Sequence, residues 1–513
     1  DNSENTGVGY RALTGDIGDQ NTALGAHAGD AVTGNRNVLL GYNVAQGAGA
    51  IDDNVVIGSG AASAATFTGN DNVVIGKDAG FDLTSGHSNV LIGHDVGLEL
   101  KAGAENTAVG FQALATEDDH NGNTAIGHKA LTTLNAGANA FNTAVGYNAL
   151  TLLTTGYYNV AVGAYALDRE LAGRENVAVG YEALSSQRED TNNRNTAVGY
   201  QAGKVLDTGV QSAFFGAYAG GAGAVTGDNN TALGYISGYV LTSGSENTLV
   251  GNNSGAAMTT GHSNTVVGSF ALDNEQAGRK NTAVGMGALG TQREDADNNN
   301  TAVGYTAGFY NSTGANNTFI GSSAGVGVVG NPLTGDRNVV IGSQAGLVLQ
   351  GAANENILIG AFAGDAITGG ANCVIIGDNA GSGMTNATGN VVIGHNAIND
   401  GDCGNDNTVI GNNAGLLVTG TDNVMLGNDA GSNVTSGGGN IIIGDADGSA
   451  AGTNHQIIMG NSVVGVGQDN FTFGRGGTDS NIAFGAEAVT APSDERYKED
   501  ITTSTAGLAF IKD

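Results

Sequence analysis

The sequence predicts an all-β fold, a parallel β-solenoid (β-roll) of about 27 short coils. Three observations carry that expectation. The run Asn-Thr-Ala-Val-Gly occurs letter for letter at Asn142–Gly146, Asn195–Gly199, Asn281–Gly285 and Asn300–Gly304. Relaxed to Asn-(Thr/Val)-(aliphatic)-(aliphatic)-Gly, it returns about every 17 residues from Asn5 to Asn440, with a worn copy at Gln456. A fixed short period marks a stacked repeat. Every copy ends in Gly, from Gly9, Gly25 and Gly41 to Gly444 and Gly460, behind a large apolar residue such as Val8, Leu24, Ile57, Phe215 or Met459.

The unit is too short for a helix pair or a strand–helix repeat. Thr, Val and Ile suit a pleated surface, so the motif reads as one short strand. The closing Gly is followed by a tail such as Tyr200-Gln201-Ala202-Gly203 or Tyr147-Asn148-Ala149-Leu150. A polar loop comes next, as at Thr154-Thr155-Gly156 and Thr242-Ser243-Gly244. Gly and Asn reach positive φ at low cost and belong at corners. One unit is one coil, and coils stacked at ~4.8 Å predict a rod roughly 130 Å long.

Strand faces alternate, so positions two and four of the motif share one face and position three takes the other. All three positions are largely apolar; position three is Ala108, Ala178, Val56, Val74, Leu39 and Ile442. A strand apolar on both faces is buried on both. One small coil covers only one face. Position three is read as the face that needs a second cover, supplied by other chains around an axis: a homotrimer. The repeated Asn reads as an internal ladder, each amide bonding the coils above and below. Tyr follows the Gly at Tyr10, Tyr42, Tyr147, Tyr181, Tyr200, Tyr235 and Tyr305. It reads as packing along a seam, with a sugar-stacking stripe as the alternative.

Composition narrows the function classes. The chain has 513 residues, 88 of them Gly, two Pro and no Trp. It lacks the collagen period, and its apolar positions are too regular for disorder. The formal net charge is −31 with only 18 Lys and Arg. No basic surface is available for nucleic acid, and an anionic membrane repels it. Such acidity suits an external, salty medium or divalent cations. No apolar run approaches the ~20 residues of a membrane span. No signal peptide is visible and the first residue is not Met, so the chain reads as a fragment or processed product. Cys373 takes an Asn slot and Cys403 a loop. They stand nearly two coils apart, about 9 Å, too far for an easy disulfide.

Residues 1–460 read as a regular shaft and 461–492 as tapering, irregular repeats with the short units Asn470–Gly474 and Asn481–Gly485. Residues 493–513 form a different segment after Pro492. Within the shaft, Ala166–Asn195 closely matches Ala271–Asn300, an offset of 105 residues or six coils. Duplication of a block suits a spacer better than a catalytic centre. The longest unit, Asn317 to Asn338, carries Pro332 and predicts a bulging loop.

The last segment opens Ser493-Asp494-Glu495-Arg496-Tyr497-Lys498-Glu499-Asp500-Ile501. It resembles the start of the intramolecular-chaperone endopeptidase domain of phage tail fibres and tailspikes. That resemblance implies trimer assembly and self-cleavage just before the Ser, by a Ser–Lys pair matching Ser493 and Lys498. A lysine held neutral can take a serine proton. Only about 21 residues of such a domain are present, so turnover is not expected. The repeats resemble the heads of trimeric autotransporter adhesins, with an Asn/Ser-Val-Ala-Ile-Gly core in a trimeric β-roll. They also resemble the Asn-Thr-Ala-x-Gly-Tyr-x-Ala-Leu repeats of bacterial surface proteins of tail-fibre type.

Other chemistry is sparse. Asp400, Asp402, Asp445 and Asp447 could hold Ca²⁺ through hard oxygen ligands, although no complete calcium loop is spelled. His87 and His262 fill equivalent Gly-His-Ser-Asn slots, which favours a repeat role. Gly325–Gly330 matches a Gly-x-Gly-x-x-Gly string without its strand–helix context. No cofactor is expected. The expectation is an extracellular homotrimeric fibre, on a virion tail or a cell surface, with a cell-surface glycan or protein receptor as partner. It excludes nucleic-acid binding and membrane insertion. The alternatives are a tailspike-type glycan hydrolase and a self-assembling extracellular filament.

Overall fold

The computed structural model describes residues 4–15, 17–135, 139–188, 193–293, 297–476 and 478–485. Among these the chain is all-β without a helix. It is a parallel β-solenoid of about 27 turns, in two compact units that meet in sequence at Thr313 and Gly314.

The first unit carries eighteen three-residue strands, from β1 (Thr6–Val8) to β18 (Thr301–Val303). Each pairs in parallel with the next, equivalent residue on equivalent residue. Thr107, Ala108 and Val109 of β7 (Thr107–Val109) meet Thr124, Ala125 and Ile126 of β8 (Thr124–Ile126). The ladder does not stop at the strand ends. In the same coil Gly110 N and Gln112 N donate back to Ile92 O and His94 O, at 2.8 and 3.0 Å. Leu114 N and Thr116 N donate forward to Ala130 O and Thr132 O, both at 3.0 Å. Corner residues with positive φ, such as Gln112 at 53° and Leu114 at 52°, are held there by these bonds. A bulky side chain in that region is strained, and neighbouring coils on both sides fix it.

The core is narrow. The middle residue of nearly every strand is fully buried, from Leu39 and Val56 to Ala108 and Phe214. The Asn that opens each strand is buried with it. Asn89 accepts, through Oδ1, the backbone N–H and Nδ2–H of Asn106, at 2.9 and 3.2 Å. Its own Nδ2 donates to Asn72 Oδ1 and Gly103 O, at 3.1 and 2.8 Å. The amide ladder is therefore internal. Ser212 and Cys373 fill the same slot: Ser212 N donates to Asn195 Oδ1 at 2.8 Å and its Oγ accepts from Asn230 N at 3.1 Å, while Cys373 N donates to Asn356 Oδ1 at 3.1 Å.

The face assignment from sequence is reversed. Position three points inward and positions two and four point out, most of them half-buried or exposed: Leu24 is 53 % and Leu233 48 % exposed. The physical reason is the Asn. Positions one and three share a face, and an amide with four bonding sites is satisfied only inside the ladder. The apolar stripe lacking a cover within the chain is the outer one, of Thr, Val, Ile and Leu.

The second unit runs from β19 (Thr318–Ile320) through β26 (Ile441–Ile443) in the same parallel register. Its first coil holds the long loop. There Val328 bridges Asn331 antiparallel and Val329 is 74 % exposed, so the segment before Pro332 stands out as a small turn. After β26 the coil changes. A second short ladder forms between β27 (Ala446–Asp447) and β29 (Val463–Val464), beside β28 (Ile457–Asn461). β30 (Asn470–Arg475) joins β28 in parallel, fourteen residues on, and β31 (Ser480–Ala483) then folds back antiparallel on β30. Asn481 thus belongs to a hairpin strand instead of a further coil.

Candidate functional site

The residue after the strand-closing Gly sits on an outer corner, and rings there meet across successive coils. His94, Phe111, His128 and Tyr147 stack with centroids 5.6, 5.3 and 4.9 Å apart. The file continues through Tyr165, Tyr181, Tyr200, Tyr218 and Tyr235, at 5.4, 6.1, 5.4, 5.3 and 6.2 Å. Nine rings form one unbroken line within the first unit. The centroid spacings fall in the preferred range for aromatic pairs. Sequence reading found the tyrosines directly after the Gly. It missed Tyr165 and Tyr218, which stand one residue later and turn into the same line.

Tyr165 is set across the file, at 66° to Tyr147 and 84° to Tyr181, while Tyr181 and Tyr200 lie 13° apart. Beside it the surface opens into a notch of about 310 Å³. The coil of β10 (Val160–Val162) supplies Tyr165, Asp168 and Arg169. The coil of β11 (Val177–Val179) supplies Glu182, Ser185 and Ser186, and that of β12 (Thr196–Val198) supplies Lys204. Glu182 pairs with Lys204 at 2.5 Å and accepts from Gln201 Nε2 at 2.7 Å. Burial opposes the charge on Glu182, but hydrogen bonds from Lys204, Gln201 and Tyr181 outweigh it and hold the carboxyl below its usual range. Asp168 is pushed up to about 6 by burial, against the pull of Arg169. Its Oδ1 is shielded from solvent and has no partner outside its own residue.

No protein-family model and no curated protein matches the chain. Assignment of a role therefore rests on the geometry.

Ser493 and Lys498 lie outside the described residues. The four aspartates proposed for Ca²⁺ are not gathered into one group. Asp402 accepts from Thr385 N and Oγ1, both at 2.8 Å, and Asp400 from Asn399 Nδ2 at 3.2 Å. Asp447 accepts from Ser432 Oγ at 3.0 Å and Asn433 N at 3.2 Å, and Asp445 O accepts from Ser462 N at 2.6 Å. Among the described residues the one triad with metal-ligand atoms within 4.8 Å is Asp78, His94 and Asp95. Lys77 already pairs with Asp78 at 2.5 Å, so an ammonium group takes the cation's place. His262 Nδ1 accepts from Ser245 N at 3.1 Å, a bond between coils. Both cysteines are free and buried, and burial pushes the Cys403 thiol up to about 12.

Three carboxyls that look like loop charges are interior. Glu117, Glu170 and Glu275 are fully buried, seven residues after their strand Gly, where Leu83, Leu100 and Leu153 stand in other coils. Glu170 Oε1 accepts from Leu171 N and Gly173 N at 3.1 and 2.7 Å, and Oε2 from Gln187 Nε2 at 2.7 Å. Glu275 is held alike by Gln276 N and Gly278 N, at 2.9 and 2.7 Å. Glu117 contacts His120 in the same slot. Burial pushes Glu170 and Glu275 above the usual carboxyl range. These groups brace the interior and reach no surface opening.

Proposed function

We propose that the chain is the shaft of an extracellular, homotrimeric attachment fibre, of a phage tail or a bacterial surface appendage. The observation that carries the reading is the outer strand stripe. Coil after coil presents Val, Ile, Leu or Thr at positions two and four, half-covered by the chain itself. Completing the burial of such a side chain is worth on the order of 1 kcal/mol. Repeated along a long ladder, the gain favours lateral association of parallel copies. The stacked coils make a stiff spacer, and the motif beginning at Ser493 adds the resemblance to self-assembling tail fibres. Its self-cleavage is not part of the proposal.

The test is the mass of the native particle by light scattering, in buffer and in concentrated urea. Three chains per particle in buffer, falling to one in urea, supports the fibre. A stable monomer overturns the trimer. Very large particles of variable length favour an end-to-end filament.

A further inference from the structure

We propose that the notch framed by Tyr165, Asp168, Glu182 and Lys204 is a saccharide-binding site on the flank of the shaft. The inference deepens the attachment reading and rests on it. A sugar ring offers an apolar C–H face and a rim of hydroxyls that both donate and accept. The notch matches each part.

Tyr165 supplies the apolar wall. Its neighbours Tyr181 and Tyr200 are near parallel, so their faces point along the file. Tyr165, nearly perpendicular to Tyr181, gives its edges to the file and turns its faces across it. The rim is met by the Ser186 hydroxyl, the Arg169 guanidinium and the Asp168 carboxylate, all lining the notch. Asp168 Oδ1 is shielded from solvent, so the accessible remainder of its carboxylate is what meets a ligand hydroxyl in the notch. Charge then selects among ligands. Asp168 and Glu182 balance Arg169 and Lys204, and Glu182 is already paired with Lys204. A neutral polyol fits this balance better than a phosphate or an ammonium group. The volume of about 310 Å³ lies at the small end of the ~300–1,000 Å³ range for small-molecule sites.

The duplicated block supplies an internal comparison. Six coils on, Phe270 stands for Tyr165 and Asp273 for Asp168. Asn274 stands for Arg169, Gly287 for Glu182 and Phe309 for Lys204. The two blocks bury the same residue types at these slots, Glu170 with Gln187 and Glu275 with Gln292. The outer corner keeps the ring and the aspartate but loses the three other charges. Its notch, of about 420 Å³, is lined by Phe270, Met286, Tyr305 and Phe309. Packing does not require the charges at the first notch, because the same coil interior stands without them at the second.

The test uses the full chain in its native assembled form. Neutral hexose and N-acetylhexosamine oligosaccharides are the probes, with inorganic phosphate as the anion control. Binding is read by saturation-transfer NMR and by tyrosine fluorescence, which no Trp obscures. Asp168→Ala and Tyr165→Ala are each expected to weaken saccharide binding about ten- to hundredfold, the loss of one charge-assisted hydrogen bond or one ring platform. Tyr165→Phe keeps the ring and should bind within about threefold of wild type. Particle mass is measured on every variant. Saccharide binding lost in both alanine variants at unchanged mass supports the site. Failure of every saccharide to bind overturns it, and a three-chain particle in the same sample leaves the fibre reading standing. Binding of phosphate alone overturns it in favour of an anion site. A fall in particle mass with Tyr165→Ala overturns it in favour of a contact between copies.

Discussion

Asn89→Ala tests the amide ladder where its partners are fully defined. The substitution removes four hydrogen bonds: two accepted from Asn106 and two donated, to Asn72 Oδ1 and Gly103 O. Two of the partners have substitutes. Asn72 Oδ1 keeps the Asn89 backbone N–H at 3.0 Å, and Asn106 Nδ2 keeps His120 O at 2.8 Å. The Asn106 N–H and the Gly103 carbonyl are stranded in a buried position. At ~1–3 kcal/mol for each stranded buried group, the coil loses about 4 kcal/mol. In a stacked repeat each coil is stabilised by its two neighbours, so the loss is local. Amide hydrogen exchange followed by mass spectrometry reads it directly. Peptides over 86–110 should exchange nearly three decades faster at ~1.4 kcal/mol per decade, while those over 231–251 keep their rates. Exchange over 86–110 within about threefold of wild type would refute the ladder's energetic role. An equal rise over 231–251 would refute the local, neighbour-by-neighbour account.

Cys373→Asn restores the amide in a slot where the thiol donates only weakly, to Ala387 O at 3.3 Å and Ala371 O at 3.6 Å. Stability over 356–390 should rise by ~1–2 kcal/mol in exchange protection, and a fall refutes the slot equivalence. Gly146 has φ 143°, and a Cβ there would stand 2.5 Å from Gly163 O in the next coil. Gly146→Ala should therefore open that junction to proteolysis, whereas Gly330→Ala, with nothing within 4 Å, costs only its backbone strain. Burial raises the folded-state carboxyl of Glu170 above its ordinary 4.5, so in the window above 4.5 the native coil holds more protons than the unfolded chain. Its stability should fall as pH rises through that window and return on acidification. The facing groups are the Gln187 amide and the N–H groups of Leu171 and Gly173. Glu170→Gln should abolish the slope in exchange rates corrected for intrinsic chemistry; a persistent slope refutes the assignment.

The period, the strand and the glycine corners were legible because every coil states them again. The Asn ladder was legible for the same reason. The direction of the strand faces was not, since no position of Thr-Ala-Val is charged or strongly polar and all three suit a half-buried strand. The deciding signal was present in Asn142, which shares parity with Ala144 and needs an interior where its amide is satisfied. Glu170 misleads for a related reason. Its charge suggests a loop, but its place seven residues after Gly163 puts it in the slot of Leu153. Register outweighs residue character there because three backbone and side-chain donors receive the carboxylate. The notch was illegible because its lining comes from three coils, and only stacking brings Asp168, Glu182 and Lys204 together. The hairpin of β31 was hidden by Asn481-Ile-Ala-Phe-Gly485, which spells a repeat while pairing antiparallel.

Stacking also explains why a six-coil block is found twice. In a globular enzyme, an insertion of this size separates residues that must touch. Here the contacts of a coil run to its neighbours, Val177 to Val160 on one side and to Thr196 on the other. An added block creates one new junction and leaves the others intact. Only the interior is constrained at that junction, which is why Glu170 and Glu275 kept their surroundings while the positions of Lys204 and Phe309 diverged. The inverse operation follows. Removing 177–281 joins Asn176 to Thr282 and leaves Asn-Thr-Ala-Val-Gly, the motif at its most frequent. Thr282, Ala283 and Val284 then pair with Val160, Ala161 and Val162, with Thr in place of Val177 as the one change from what β11 presents there. The shortened chain should fold with an unchanged thermal midpoint and lose roughly 29 Å of stacked length at ~4.8 Å per coil, read by negative-stain microscopy. A shortened chain that aggregates, or that melts well below the parent, would show that coils depend on more than their neighbours.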